Sequence, residues 1–419
     1  MQRFIGIIGI IVILAIAFLL STDRKKINYK TVGMGFLLQI LLAIFVFKVP
    51  LGQMIFLKIG SFIEKLLEFA IQGGQIVFSG LLGKQFENAY CQGAHVFTLQ
   101  LICSSIFMMI LVNILYYYGI MQKVVAVLGK GMNKLMKVSG AEALCSVANS
   151  FVGQIVAQIM IKPYLKDLTR SEMLTCMAGS MACISGAIMP IYIGMGIPAE
   201  YILASSIMAA PGVFVISKIM YPEDGTPKTG ENIDIKVEKT HVNVIDSISA
   251  GAADGMQVGI SVTAMIIALV ALVAMIDWML GGIGSFIYNT CHIGGTWLPD
   301  LSLKFILGKL FSLLALVMGV PHSDITTVGG LMGEKIVLNE MVAYMDLTSI
   351  KHMLSDKAFL IASFALCSFG NIGSIAIQIG GIGELAPEQR KNLAELGVRA
   401  LIAGTLTCYM SGTIAGILF

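Results

Sequence analysis

"SVANSFVGQIVAQIMIKPYL", residues 146–165, is apolar enough to enter a membrane and poorly built to cross one. Asn149, Ser150, Gln154 and Gln158 interrupt it, Gly153 stands in its middle, and Lys162-Pro163 closes it. A helix needs roughly 20 predominantly apolar residues to span a ~30 Å hydrocarbon core. The segment instead predicts a re-entrant hairpin whose polar tip lies near mid-membrane. Irregular backbone is tolerated at that depth only where protein or a water-filled cavity surrounds it.

Residues 328–347, "VGGLMGEKIVLNEMVAYMDL", repeat the pattern, with Lys335, Asn339 and Glu340 as interruptions. After each hairpin comes an apolar helix with a polar, glycine-bearing break: "MAGSMACISGAIMP" (177–190) and "ALCSFGNIGSIAIQ" (365–378). A further helix follows each. Hairpin, broken helix, helix, stated twice about an odd number of crossings, is the signature of an inverted-repeat transporter, whose site lies where hairpin tips and breaks converge.

Composition agrees. The 419 residues are 57% hydrophobic and 13% charged with mean hydropathy +0.85, against about 25% charged for soluble domains, so the chain is a polytopic membrane protein. Eight runs qualify as crossings: Phe4–Leu20, Val32–Val46, Phe97–Tyr118, Leu174–Met195, Ile202–Met220, Val258–Leu280, Phe359–Ile379 and Leu393–Leu418. The first is read as a retained helix, because the charged turn Asp23-Arg24-Lys25-Lys26 follows it in place of a small-residue cleavage site. Ile55–Phe69, Val124–Lys137 and Val244–Asp254 read as amphipathic interfacial helices. If the first helix runs inward, 18 of the 28 basic residues fall on the cytoplasmic side, which puts both termini outside.

The resulting organisation is 1–140, N-terminal and interfacial helices, mostly scaffold; 141–220, first repeat; 221–245, cytoplasmic loop; 246–319, interfacial and scaffold helix; 320–419, second repeat. A net charge of +3 carries no nucleic-acid signature. The eight cysteines have no paired spacing and read as core packing, and the 26 methionines read as core filler. No Walker A motif, Gly-x-Ser-x-Gly elbow or His-Glu-x-x-His pair occurs, so neither an ATP-driven pump nor a hydrolase is indicated, and no cofactor is expected.

Glu340 stands out, because an acid within an apolar segment costs roughly 2.5 to 3.5 kcal/mol on insertion scales unless paired or hydrated. It pairs structurally with Lys335, lies near the interface, or binds substrate; an ionised carboxylate accepts hydrogen bonds and suits vicinal hydroxyls such as a sugar's. Asn371 and Ser374 share a helical face and are either interhelical hydrogen-bonding groups or site residues. Asn149 and Gln154 either cap the hairpin or line the site.

Taken together, "SVANSFVGQ", "IKPYL", "SEMLTCMAGSMACISG", "ASSIMAAPGVFVISKIMYPE", "GEKIVLNEMVAYMDL", "ALCSFGNIGSI" and "LGVRALIAGTL" resemble the concentrative nucleoside transporter family over nearly the whole chain. The resemblance implies an all-α integral membrane protein of eight transmembrane helices, two re-entrant hairpins and interfacial helices. It implies a homotrimer in the cytoplasmic membrane that imports nucleosides by elevator motion of a transport domain, coupled to Na+ or H+. Glu340, Asn371 and Ser374 then match the residues that bind ribose, Phe369 the aromatic residue near the substrate, and Gly153 and Gln154 the hairpin positions that face the base. Asn149, Val152, Cys183 and Ile184 match the sodium site.

Two departures follow. Where the family reads Gly-Gln-Thr/Ser/Asn-Glu-Ala-Pro, this chain has Gly153-Gln154-Ile155-Val156-Ala157-Gln158, so Ile155, Val156 and Gln158 alter the base contacts. Cys183 replaces a hydroxyl at the sodium site, and a thiol is a poor ligand for a hard cation. Proton coupling, transport of a modified nucleoside or nucleobase, and a non-transporting substrate sensor therefore stay open as alternatives.

Overall fold

The computed structural model describes residues 2–82, 96–229, 242–291, 298 and 300–419; every regular element among them is helical. Cys91 and residues 230–241 of the 221–245 loop lie outside the described residues.

Helices α1 (Gln2–Leu19) and α2 (Tyr29–Lys48) flank the charged turn, where Asp23 and Asn28 accept backbone N–H groups. Then come α3 (Pro50–Phe78), α4 (Phe97–Tyr117) and α5 (Ile120–Met136). The first repeat comprises α6 (Gly140–Val152), α7 (Gln154–Met160), α8 (Lys162–Leu165), α9 (Arg170–Ala182), α10 (Met189–Gly194) and α11 (Ala199–Met220). Helices α12 (Val244–Phe286) and α13 (Leu303–Val317) intervene. The second repeat comprises α14 (Ile325–Val337), α15 (Glu340–Ser349), α16 (Asp356–Leu366), α17 (Ile372–Leu385) and α18 (Arg390–Leu418). Among the described residues α2, α4, α11, α12 and α18 are long and apolar enough to cross a membrane. With α1 and the interrupted pairs α9/α10 and α16/α17, they account for the eight apolar runs.

Both predicted hairpins fold back on themselves. Asn149 on α6 and Gln158 on α7 each meet Ser180 of α9, so α7 returns alongside α6. Lys335 on α14 and Tyr344 on α15 reach Ala365 and Ser363 of α16 in the same way. At 13 residues, α6 and α14 are each about 20 Å long, too short to cross. Gly153 makes the first turn with φ of 89°, a left-handed backbone that glycine adopts without strain. The second turn ends at Asn339, whose side chain accepts from Val342 N and so caps α15.

One expectation is corrected. Val244–Asp254 is not a separate interfacial helix but the opening of the 43-residue α12. Its charges suggested an interface, yet no proline or cap ends the helix there. Instead Gly251, Gly255 and Gly259 continue one helical face at four-residue spacing and lie on Ile110, Ile106 and Ile102 of α4. A Cβ at Gly255 would stand 2.4 Å from Ile106 Cα and 2.6 Å from Ser105 O, both backbone atoms that cannot step aside. Gly255→Leu is expected to part the pair and destabilise the protein by on the order of 1–3 kcal/mol, read as a lower thermal midpoint in detergent. An unchanged midpoint would show that the contact is not tight.

The α4/α12 pair is peripheral: the apolar window of α12 is 11% buried, whereas those of α11 and α18 are 83% buried. Gly6 lies against Ile417, and Arg399 Nη1 donates to Leu20 O, so α1 and α18 run antiparallel with both chain ends on one face. On the opposite face Thr22 N donates to Met220 O. There, capping boxes start α6 (Ser139/Glu142) and α9 (Thr169/Glu172). Lys218 of α11 is buried between them. Its Nζ lies 2.7 Å from Glu142 Oε2 and 3.5 Å from Glu223 Oε2, and it donates to Ser171 Oγ at 3.0 Å.

Candidate functional site

The two hairpin tips and the two helix breaks meet. Helix α9 ends at Cys183 in extended backbone, and α10 restarts at Met189-Pro190, with proline where a helix start lacks a use for its N–H. Helix α16 ends at Cys367, and Asn371 caps α17 by accepting from Ser374 N. The breaks touch through Phe369 N, which donates to Cys183 O at 3.3 Å. The first hairpin tip lies on the first break: Gly186 N donates to Phe151 O, and a Cβ at Gly153 would fall 2.8 Å from Ser185 Cβ.

Glu340, the first residue of α15, is buried at this junction. Tyr192 Oη donates to its Oε1 at 2.9 Å, and Asn371 Nδ2 donates to its Oε2 at 3.3 Å. Asn371 Oδ1 in turn accepts from Ser374 Oγ at 3.2 Å. Glu340, Asn371 and Ser374 are thus brought together, and Lys335 is not the structural partner of the acid. Lys335 Nζ donates to Ala365 O at 3.3 Å and lies 5.8 Å from the Tyr409 ring centroid. Tyr192, which carries no signal in the sequence beyond being one aromatic in an apolar helix, also packs on Tyr344 with ring centroids 4.8 Å apart.

At the other tip, Gln154 Oε1 accepts from Gln378 Nε2 at 3.1 Å. Ile155 packs against Gly381 of α17, and Val156 is exposed. Gln158 is fully enclosed: its Nε2 donates to Ser180 Oγ at 3.1 Å and to Cys176 O at 3.4 Å. Ser180 Oγ passes the link on to Asn149 Oδ1 at 2.9 Å. Asn149, Val152 and Ile184 are all buried, and Cys183 Sγ donates back to Gly179 O at 3.2 Å. The sequence reading missed Tyr192, Ser180 and Gln378.

The bracing is crossed. Tyr192, beyond the break of the first repeat, holds the second hairpin; Gln378, beyond the break of the second, holds the first hairpin.

Three family models match in succession: the N-terminus of Na+ dependent nucleoside transporters over residues 8–81, nucleoside recognition (gate) over 98–199, and the C-terminus of Na+ dependent nucleoside transporters over 201–416. The chain belongs to the concentrative nucleoside transporter family. Similar relatives include the uncharacterized transporter YutK of Bacillus subtilis, 38% identical over 98% of both chains. The nucleoside permease NupC of Helicobacter pylori is 35% identical over 98% of this chain and 97% of its own. Sodium/nucleoside cotransporter 1 of Rattus norvegicus is 31% identical over 100% of this chain and 64% of its own. Among solved structures, CNTnw in an inward-facing substrate-bound state superposes with a TM-score of 0.91 at 38% identity, covering 100% of this chain and 98% of that one. A CNTnw variant in the intermediate 2 state gives 0.93 at 37% identity, with 100% and 99% covered. Family membership makes the chain a multi-pass membrane transporter rather than an enzyme.

Proposed function

We propose that this member of the nucleoside transporter family imports nucleosides across the cytoplasmic membrane, with Glu340, Asn371 and Ser374 binding the ribose. The observation that carries the reading is the buried Glu340 carboxylate, held between Tyr192 and Asn371 where hairpin and helix break meet. A carboxylate oriented by two donors keeps lone pairs for a vicinal diol, and hydrogen bonds to charged groups are stronger than neutral ones. Gln154 at the other tip faces the base, and Phe369 supplies the aromatic ring near the substrate.

The orientation follows from charge: Arg24, Lys25, Lys26, Lys137, Lys162, Lys166, Arg170, Lys218 and Lys228 belong to the face opposite the chain termini, so that face is cytoplasmic and the termini are outside. The outer pair α4/α12 serves as scaffold. Helix α12 is about 65 Å long, with Trp278, Met275 and Ile267 turned outward, a surface suited to a homotrimer. The inner bundle, whose breaks and tips are hydrogen-bonded together, moves against it as one body.

Coupling is to a cation gradient, with Asn149, Val152, Cys183 and Ile184 as the cation site. The thiol of Cys183 favours protons over sodium, since sodium prefers oxygen ligands. The test is uptake of labelled uridine, adenosine, inosine and guanosine into proteoliposomes under an imposed sodium or proton gradient. Accumulation above equilibrium is expected under the proton gradient, and Cys183→Ser is expected to raise sodium stimulation several-fold. No accumulation under either gradient would overturn the importer reading. An unchanged sodium response in the serine variant would remove position 183 from the cation site.

A further inference from the structure

The inward face of α17 carries three polar residues in register: Asn371 at its cap, Ser374, and Gln378 one further turn along. All three are buried, while Ile372 and Ile377 on the same helix are exposed. Four residues of helix advance about 6 Å, so a ligand whose sugar lies at Asn371 and Ser374 extends its base toward Gln378. Gln378 is fully enclosed and lies beside the hairpin tip, yet only half of its amide is used. Its Nε2 donates to Gln154 Oε1, and its Oε1 has no hydrogen-bond partner.

In the arrangement the structure shows, that half-used pair has a polarity. A primary amide offers two N–H donors and one carbonyl oxygen. Gln378 Nε2 turns toward the Gln154 oxygen, and the Gln154 amide keeps both N–H groups to donate. Because the Gln378 oxygen is free, Gln378 is left to accept. The tip residues Ile155 and Val156 that follow Gln154 offer no polar side-chain atom, so this stretch contributes hydrogen-bonding groups through the Gln154–Gln378 pair.

The geometry points to Gln378 as a base-reading residue that, together with Gln154, selects nucleosides whose base presents a carbonyl oxygen beside a ring N–H. Uracil, hypoxanthine and guanine carry that edge. Cytosine and adenine present an exocyclic amine beside an unprotonated ring nitrogen, the reverse order, and a base tethered to an anchored ribose cannot turn over to match. Sites with buried polar groups discriminate strongly against ligands that leave those groups unpaired. This inference rests on the nucleoside reading proposed above and adds the base class to it.

The test is competition against labelled uridine uptake in proteoliposomes, using two pairs that differ at the reading edge: uridine with cytidine, and inosine with adenosine. In the unmodified protein the lactam member of each pair is expected to compete at a concentration at least tenfold lower. Gln378→Met, similar in shape and unable to pair, is expected to bring both ratios to within about threefold of one. A purely structural role for Gln378 would depress uptake of all four nucleosides by one common factor and leave the ratios where they were. If the methionine variant does not assemble, Gln378→Glu serves: it presents acceptors to both Gln154 and the base, so Gln154 turns its oxygen to the base, uridine and cytidine each keep one matched and one opposed contact, and their ratio is expected to fall to within about threefold of one. Ratios near one or reversed in the unmodified protein, or ratios indifferent to residue 378, overturn the inference while leaving the importer reading intact. Absence of uptake for every nucleoside overturns both.

Discussion

Glu340→Gln is expected to lower nucleoside uptake roughly a hundredfold while leaving the folded protein in place. Hydrogen bonds to a charged group contribute about 1.5–3 kcal/mol each, and each 1.4 kcal/mol is tenfold in affinity, so weakening the two contacts proposed to the ribose reaches that magnitude. Glutamine fills the same space and keeps an oxygen for the Tyr192 hydroxyl, so the packing of Tyr192 on Tyr344 is retained. It replaces the second acceptor with a donor facing Asn371 Nδ2, the residue next in line to the sugar. Initial-rate uptake alongside the thermal midpoint in detergent separates the two effects. A midpoint within a few degrees of the parent with uptake lost is the expected result. Uptake within threefold of the parent would remove Glu340 from the substrate site.

Lys218→Met is expected to act in the opposite manner, on stability rather than on recognition. Lys218 lies among Glu142, Glu223 and Ser171, with the Glu142 side chain 2% exposed. Deleting one partner of a buried ion pair costs about 3–5 kcal/mol, because the remaining charge is left enclosed without compensation. Glu142 also caps α6, the first arm of the hairpin that carries Asn149 and Gln154, so the damage falls on the segment that builds one side of the site. The double variant Lys218→Met/Glu142→Gln removes both charges and is expected to recover most of the loss. Thermal unfolding of both variants in detergent is the measurement. A single variant as stable as the parent would mean that water reaches Glu142 freely.

The hairpins and breaks were legible in the sequence because each interrupts an apolar run with groups that lipid does not tolerate: Gly153 with Gln154, Asn339 with Glu340, and Asn371 after Cys367. The family resemblance pointed to Glu340, Asn371 and Ser374, and the structure brings them together. What stayed illegible depends on contacts between distant segments. Tyr192 and Gln378 each sit in an apolar helix whose periodicity says nothing of a polar role, and their partners lie 148 and 224 residues away. Ser180 is one small residue in a glycine- and alanine-containing helix until Gln158 and Asn149 are placed on either side of it. The unbroken α12 escaped for a related reason: Asp246 and Asp254 suggest an interface, while the packing that continues the helix is made by glycines, whose contribution depends on the partner helix α4.

The crossed bracing bears on how the two hairpin-bearing segments constrain each other's sequence. Each repeat supplies a side chain that steadies the other's hairpin, in addition to the contacts each hairpin makes within its own repeat, so a change in one is felt in its sibling as well as in itself. Inheritance then acts on pairs drawn from opposite copies. Tyr192 is expected to vary in step with Glu340, and Gln154 with Gln378, while neighbours along each copy drift independently. The two hairpin-bearing segments are in this sense complements, each steadied by a side chain of the other.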